Sequence, residues 1–182
     1  MTNQKNQPQK NKQGFTIIEV VLVLAIAGLI FLMVFIALPA LQRSQRDTQR
    51  RDDMARFATA IVQYQSNNGG KIPGEGTTSD ITSAAFSTTN CNSDSANAAT
   101  KLLCTYLNAN GSSTNEFKDP DGTAYTIVIK SAVSQPTSMD HKVYFYPKAY
   151  CKGETVTTSS NARDYAIAYR LEGSGVYCSD SK

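Results

Sequence analysis

The strongest pattern in the chain is an apolar run near its N-terminus. From Val20 to Leu38 there are nineteen consecutive residues without a charged or amide side chain. As a helix rising about 1.5 Å per residue, this run is roughly 29 Å long, which matches the hydrocarbon core of a bilayer. A core helix of that length would show polar residues along one face, and this run shows none. The pattern therefore predicts a transmembrane helix.

Beyond this run the pattern becomes polar and then periodic. Residues 42 to 53 offer no apolar face, which predicts a solvent-bridging or filament-lining helix with i, i+4 ion pairs from Asp47 to Arg51 and from Asp52 to Arg56. Apolar residues then recur at helical spacing until Asn67-Asn68-Gly69-Gly70 stops the helix. We expect this apolar stripe to dock the helix onto a folded head; it consists of Met54, Phe57, Ala58, Ile61, Val62 and Tyr64.

The remainder of the chain predicts a loop, a short helix and a sheet. Residues 66 to 100 are rich in Ser, Thr, Asn and Gly, which is typical of a surface loop. A short helix is expected from about Asp94 to Asn108. Apolar alternation then predicts four strands, around residues 125–130, 143–146, 165–171 and 176–178.

Two local signals refine the sheet. Gly173-Ser174-Gly175 predicts a hairpin between the last two strands, and Pro147 indicates that its strand lies at an edge or ends there. The expected fold class is α+β: a long N-terminal helix, half transmembrane and half amphipathic, packed on a small antiparallel β-sheet head.

The charge of the chain is concentrated at its N-terminus. The 182 residues carry a net charge of +3, which Lys5, Lys10 and Lys12 supply. Such a balance excludes the strongly basic composition of a dedicated nucleic-acid binder. The basic leader predicts a cytoplasmic N-terminus and an external body, although five arginines beyond the far end of the apolar run oppose this orientation. Because no cleavage pattern follows that run, we expect the span to be retained.

All four cysteines lie in the head. An even number in an exported domain predicts two disulfides, and no Cys-x-x-Cys pair or nearby histidine supports a metal site. Three connectivities are open. We favour Cys91 with Cys104 and Cys151 with Cys178, because each pair closes a short loop.

Glu19 lies at the edge of the apolar run, where an ionised carboxylate is costly unless a positive group meets it. Snorkelling of its carboxylate to the headgroup level is the plain alternative. The segment around it reads Gly14-Phe15-Thr16-Ile17-Ile18-Glu19-Val20, after a short basic leader and before the apolar helix. In residue types, order and position it resembles the processing motif of type IV pilins and the related pseudopilins.

The resemblance implies how the chain is processed and assembled. A membrane-embedded prepilin peptidase would cut after Gly14 and methylate the new N-terminus at Phe15. Glu19 would neutralise the N-terminal charge of a neighbouring subunit as the helices pack into a filament, since two such charges are tolerable in a dry core only as a pair. The expected domains are a leader at 1–14 that is removed, a stem at 15–53 and a globular head at 54–182.

The stem contains two further positions of interest. Gly28 is a weak helix former and Pro39 cannot donate to the carbonyl of Phe35, so the helix is locally fragile between them. A kink is the simple structural expectation, and the family resemblance implies that helical order is lost there on assembly. Arg43, Arg46 and Arg50 form a basic stripe. Contact with DNA or anionic lipid is conceivable there, but a solvated or inter-subunit face is favoured.

The sequence gives little support for catalysis or for a cofactor. His141 is the only histidine, and no nucleophile motif, metal box or phosphate loop accompanies it. Asp119-Pro120-Asp121-Gly122 predicts a tight turn rather than a calcium site, because the ligand series of an EF-hand is lacking. We expect neither an enzyme nor a metal protein.

The function that fits best is structural. We expect a type IV pilus subunit, a major pilin, that supports adhesion, twitching motility or DNA uptake. Its partners would be further copies of itself, the prepilin peptidase, the pilus assembly machinery and the inner membrane, which it would leave for the extracellular filament. The alternatives are a minor pilin or secretion pseudopilin and, in another class, an anchored surface receptor or adhesin that does not polymerise.

Overall fold

The computed structural model describes residues 14–83, 97–107 and 117–182. The chain forms two compact units, 1–42 and 43–182. The first helix, α1, runs from Ile17 to Asn67 and contributes to both units. Described residues of the first unit that precede α1 are Gly14, Phe15 and Thr16, which are not helical.

The C-terminal part of α1 ends at the predicted stop signal. Gly69 and Gly70 adopt positive φ values of 65° and 82°, and the amide of Gly70 donates to the carbonyl of Gln65 at 2.8 Å. This is the left-handed exit that glycine permits at a helix C-terminus. The predicted helix end is therefore confirmed.

Small elements lie between α1 and the main strands. Strand β1 is Ile81–Thr82, helix α2 is Ala98–Leu102 and a π-helical turn follows at Leu103–Leu107. The side chain of Asn97 caps α2 by accepting from the amide of Thr100 at 2.8 Å. Within the described residues, the predicted helix begins at Ala98, after the cap at Asn97. The ends of the predicted range, residues 94–96 and 108, lie outside the described residues.

Six further strands complete the head. They are β2 Thr126–Ile129, β3 Lys142–Pro147, β4 Ala149–Lys152, β5 Thr155–Thr158, β6 Tyr165–Arg170 and β7 Val176–Asp180. A five-stranded sheet has the order β1-β2-β3-β6-β7, and β4 and β5 form a separate hairpin. The α+β architecture is confirmed: a long N-terminal helix whose C-terminal part packs on a small sheet that is mostly antiparallel.

The topology corrects the predicted sheet in two respects. Strands β2 and β3 are parallel, with Ile127 opposite Val143, whereas we predicted an antiparallel sheet throughout. The connection between them, residues 130–141, is long enough to return to the starting end of the sheet, which a parallel pair requires. The described residues also contain more strands than the four predicted, because β1, β4 and β5 are too short and polar to give a clear alternation.

Pro147 is the last residue of β3, which agrees with the prediction that its strand either ends there or lies at an edge. β3 lies between β2 and β6, so Pro147 is not on an edge strand. The turn at Gly173–Gly175 joins β6 to β7, and the amide of Leu171 donates to the carbonyl of Gly175 at 2.9 Å. The predicted C-terminal hairpin is confirmed.

The core of the head lies on both faces of the sheet. On one face, Met54, Phe57 and Ile61 of α1 pack with Phe145 and Ile167. Val62, which the apolar stripe predicts to be buried, is 55% exposed, whereas Ala60, which is not part of that stripe, is buried. On the other face, the β4–β5 hairpin covers the small residues of β6, with Ala149 and Val156 against Ala166 and Ala168.

Candidate functional site

The start of α1 carries the predicted processing residues. Gly14 and Phe15 lie in non-helical backbone before the first turn, and a Cβ added at Gly14 would meet nothing within 4 Å. The side chain of Phe15 is 90% exposed. Within the part of the chain that the structure describes, both residues are therefore exposed.

Thr16 and Glu19 form a capping box at the first turn of α1. The backbone amide and the hydroxyl of Thr16 donate to Oε2 of Glu19 at 2.9 Å and 2.8 Å, and the amide of Glu19 donates back to the hydroxyl at 3.4 Å. These bonds satisfy amides that a helix N-terminus otherwise leaves without partners. Our sequence analysis missed this role of Thr16, although the Thr-x-x-Glu spacing is the known signal for it.

The apolar surface of α1 is open along the predicted span. Within the described residues, the large side chains between Val20 and Leu38 are all at least 44% exposed, and Phe35 reaches 72%. α1 is the one helix of this part of the chain that is long and apolar enough to cross a membrane. Gly28 and Pro39 both lie inside α1, and a Cβ at Gly28 would meet nothing within 4 Å. Bilayer lipid or other protein must cover such a surface in water.

The polar part of the stem, in contrast, is engaged with the head through a charge network. We call this network the stem clamp and define it as Arg46, Asp47, Arg50, Asp119 and Glu172. Arg50 is 2% exposed, and its Nε and Nη2 donate to the two oxygens of Asp119 at 2.8 Å and 2.9 Å. This is a bidentate pair between buried side chains, the geometry in which a guanidinium binds a carboxylate most strongly.

The clamp continues into the turn between β6 and β7. Arg46 donates to Glu172 through Nε at 2.8 Å, and Arg50 donates to Glu172 through Nη1 at 3.1 Å. Asp47 accepts from the backbone amides of Glu172 and Gly173 at 3.0 Å and 3.1 Å. Because Asp47 also accepts from Arg50 at 2.9 Å, every member is bonded to at least one other.

Two carboxylates of the clamp, those of Asp119 and Glu172, are held in their ionised form. Hydrogen bonds from Arg46 are the main cause that lowers the pKa of Glu172 to about 2. Burial alone would raise the pKa of Asp119, but the hydrogen bonds from Arg50 and Tyr169 outweigh it and leave the pKa below its usual value. Burial, together with the hydrogen bond that its hydroxyl donates to Asp119 at 2.9 Å, raises the pKa of Tyr169.

These contacts correct three expectations about the charged stem. Residues 42–53 are not only a solvent-bridging or filament-lining segment, because Arg46 and Arg50 lie against the carboxylates of Glu172 and Asp119. Asp47 pairs with Arg50, one residue before the expected Arg51, since Arg50 faces the head. The pair expected for Arg56 with Asp52 is replaced by a contact at 3.5 Å with Asp53.

The basic stripe is likewise not a free cationic surface. Arg46 and Arg50 bind Glu172, and Arg43 lies 3.9 Å from the same carboxylate. The positive charges of the stripe are balanced within the head, so these contacts give no support to binding of DNA or anionic lipid at this face.

The turn before β2 is a structural element of the same region. The amide of Gly122 donates to the carbonyl of Asp119 at 2.8 Å, and the amide of Thr123 donates to the side chain of Asp121 at 2.8 Å. The carboxylate of Asp121 also lies 2.7 Å from Nε2 of His141. The tight turn that we predicted is confirmed.

Asp119, Asp121 and His141 lie close enough together to be considered as ligands of a metal ion. However, Oδ1 of Asp119 already accepts from Arg50 and from the amide of Asp121, and its Oδ2 accepts from Arg50 and Tyr169. A carboxylate so fully bonded to donors lacks lone pairs for a cation. Asp119 therefore serves the clamp, and the remaining pair of Asp121 and His141 does not by itself make a three-ligand metal site.

One of the favoured disulfides is present. Cys151 of β4 is bonded to Cys178 of β7, with Cα atoms 5.9 Å apart. The bond joins the β4–β5 hairpin to the edge strand of the sheet. Cys91 lies outside the described residues, so the pairing of Cys91 with Cys104 stays a prediction.

The comparisons with known proteins bear on the N-terminus. Residues 9–35 match the family model for the prokaryotic N-terminal methylation motif. No curated protein and no solved structure shows a significant match to the chain. The matched range contains Gly14, Phe15, Thr16, Glu19 and most of the apolar run, from Val20 to Phe35.

This match agrees with the geometry of the segment. A methylation motif that leads into a long apolar helix fits a precursor anchored in the inner membrane. The motif implies processing by a prepilin peptidase and assembly into pilus-type filaments, and it points to a structural rather than an enzymatic protein. The N-terminal methylation motif, together with a long helix whose C-terminal part packs on a small sheet, supports the identification of the chain as a type IV pilin or pseudopilin-type precursor.

Proposed function

We propose that the chain is a structural subunit of a type IV pilus, a major pilin that polymerises through its N-terminal helix. The observation that carries this proposal is the methylation motif at residues 9–35 directly before an apolar helical surface that its own described residues leave open. The leader, residues 1–14, is removed, and Phe15 becomes the methylated N-terminus. The mature chain then consists of a stem at 15–53 and a head at 54–182.

The apolar stem supplies the driving force for assembly. Its side chains are exposed in the single chain, and a bilayer covers them before polymerisation. Transfer from lipid to a bundle of identical helices keeps those side chains away from water, so extraction from the membrane does not expose apolar surface. The weak helical positions at Gly28 and Pro39 let the stem adjust its packing during this transfer.

Glu19 adds specificity to this packing. In the described chain its carboxylate caps the amides at the start of its own helix. In a filament we assign it a second partner, the cationic N-terminus that cleavage creates at Phe15 of a neighbouring copy. A charge at that depth is tolerated only when a countercharge lies beside it, so correct register is favoured over slipped arrangements.

Two substitutions at Glu19 separate capping from charge pairing. Gln at the third helical position preserves a capping box but removes the negative charge, whereas Ala removes both. We expect Glu19→Gln and Glu19→Ala to be cleaved and inserted normally and both to give few filaments in sheared surface fractions. Normal filament yield from Glu19→Gln would show that the charge is not needed.

Cleavage is tested separately, with tagged precursor in cells with and without the peptidase. The native chain should lose its leader only in cells that contain the enzyme. Gly14→Val should block this step, because a branched side chain replaces a position with no Cβ in the segment that must enter the protease. The matched control Gly28→Val changes the same residue type inside the helix and should still be cleaved.

The outcomes also distinguish the alternatives. An anchored receptor or adhesin would keep its leader and never appear in fibres. A minor pilin or a secretion pseudopilin would be cleaved like a major pilin but would be a trace component of sheared filaments. Electron microscopy of sheared material, with mass analysis of its main band, therefore decides among these roles.

A further inference from the structure

The turn that follows α1 contains an Asn-Gly pair whose geometry suits a chemical modification. Asn68 and Gly69 are both exposed. Among the described residues, the amide of Gly69 has no hydrogen-bond acceptor, whereas the amides of Asn68 and Gly70 on either side both donate to carbonyls of α1. Gly69 is therefore the one residue of this turn whose nitrogen is free to react.

We propose that Asn68 is a site of spontaneous conversion to aspartate and isoaspartate. In this reaction the nitrogen of Gly69 loses its proton to solvent and attacks Cγ of Asn68. A bond from that nitrogen to Cγ forms, the bond from Cγ to Nδ2 breaks, and Nδ2 leaves as ammonia. Water then opens the cyclic imide at either carbonyl, and no oxidant or reductant takes part.

The local structure opposes this ring closure little. Glycine has no side chain to hinder the approach of its nitrogen, and Gly69 has a φ of 65° that L side chains rarely adopt. A Cβ built at Gly69 would meet nothing within 4 Å, so the turn has room to rearrange. Closure also breaks no backbone hydrogen bond at Gly69, because its amide makes none in the described part of the chain.

The chain contains a built-in comparison at Asp121 and Gly122. This pair could form the same cyclic imide, but the amide of Gly122 donates to the carbonyl of Asp119 at 2.8 Å. The side chain of Asp121 is also held by two partners, the amide of Thr123 and His141, whereas that of Asn68 makes one bond, to the carbonyl of Tyr64. We therefore expect the structure to protect Asp121 and to leave Asn68 reactive.

Conversion would alter the end of α1. The Nδ2 of Asn68 donates to the carbonyl of Tyr64 at 2.8 Å, and a carboxylate cannot make that bond. A negative charge at a helix C-terminus is also unfavourable, since the carbonyls there carry partial negative charge. The Asn68→Asp variant should therefore unfold at a lower temperature than Asn68→Ser, which loses the bond but gains no charge. This inference does not depend on the proposed function.

The test is incubation of the full chain in detergent at physiological temperature and pH, followed by tryptic peptide mapping. Cleavage after Arg56 and Lys71 yields residues 57–71, which also contain Asn67 as an internal control. A synthetic peptide of the same sequence gives the unstructured rate, and a synthetic peptide across Asp121–Gly122 gives the rate for that pair.

We expect the mass and isoaspartate signature of conversion at Asn68, at a rate close to that of the peptide, with Asn67 unchanged. We expect the peptide containing Asp121 to isomerise and the same pair in the folded chain to resist. The proposal is overturned if Asn68 is stable in the chain while its peptide converts, or if that peptide does not convert. It is also overturned if Asn67 converts as fast, or if Asp121 isomerises equally in chain and peptide.

Discussion

The stem clamp makes a quantitative prediction about Arg50. The side chains of Arg50 and Asp119 are 2% and 0% exposed, so neither can exchange its partner for bulk water. Arg50→Met keeps much of the apolar length of the side chain but leaves the carboxylate of Asp119 with only Tyr169 and the amide of Asp121 as donors. The substitution therefore creates a buried charge without its counterion.

Removal of one partner from a buried ion pair costs about 3 to 5 kcal/mol. For a chain of this size each kcal/mol lowers the unfolding temperature by about 2 to 4 °C, so the expected decrease is roughly 6 to 20 °C. If Asp119 takes up a proton in the variant, the decrease in unfolding temperature should lie near about 6 °C, because protonation removes the uncompensated charge.

The assay is thermal and urea unfolding of the full chain in detergent, followed by near-ultraviolet circular dichroism. Because the sequence has no Trp, this signal reports on tyrosines such as Tyr125 and Tyr169, which are buried in the head. The matched control is Arg51→Met, which changes the exposed neighbour on the same helix and should stay within about 0.5 kcal/mol of the native chain. An unfolding temperature for Arg50→Met equal to that of Arg51→Met would refute the assigned role of the clamp.

Three further predictions follow from single contacts. A Cβ at Gly74 would lie 2.6 Å from a methyl group of β2, and one at Gly76, which has a similar positive φ, would meet nothing; Gly74→Ala should therefore unfold about 1 to 3 kcal/mol more easily than Gly76→Ala in urea. Because the pKa of Glu172 is lowered from 4.5 to about 2, its contribution to stability is present above pH 4.5 and lost as the pH falls to about 2, and Glu172→Gln should flatten the pH dependence of unfolding in that window. Cys151→Ser opens the loop closed by Cys178 at a sequence separation of 27, which should cost about 3.5 kcal/mol in the chain-entropy estimate, and a reducing agent should abolish the difference from the native chain.

Local patterns predicted those parts of the fold that depend on neighbours in sequence. The apolar run predicted the long hydrophobic helix, and the residues at 67–70 predicted where α1 ends. The turn at Gly173–Gly175 predicted the C-terminal hairpin. Each of these features is specified within a few residues, by periodicity or by a turn that needs glycine. Helical spacing alone does not decide which residues are buried. Val62, which the spacing predicts to be buried, is exposed, whereas Ala60 is buried in the core.

The clamp could not be predicted in the same way. Arg50 and Asp119 are 69 positions apart, and Arg46 and Glu172 are 126 apart. A charged stretch without an apolar face is normally solvated, and nothing local distinguishes an arginine that a distant carboxylate will bury. The parallel pairing of β2 with β3 is non-local as well, since it depends on the course of the connection between them.

The two parts of α1 differ in whether their side chains have partners within the described chain. This difference bears on how subunits associate. From Arg46 to Ile61, Arg46 and Arg50 bind carboxylates, and the buried apolar residues pack in a core, all within residues 43–182. From Val20 to Leu38 the described residues provide no such cover. Association driven by the second part therefore requires no change in the contacts of the first. A head that keeps the same unfolding temperature whether the chain is in detergent or in fibres is the expected consequence, because the clamp and the core are complete before assembly.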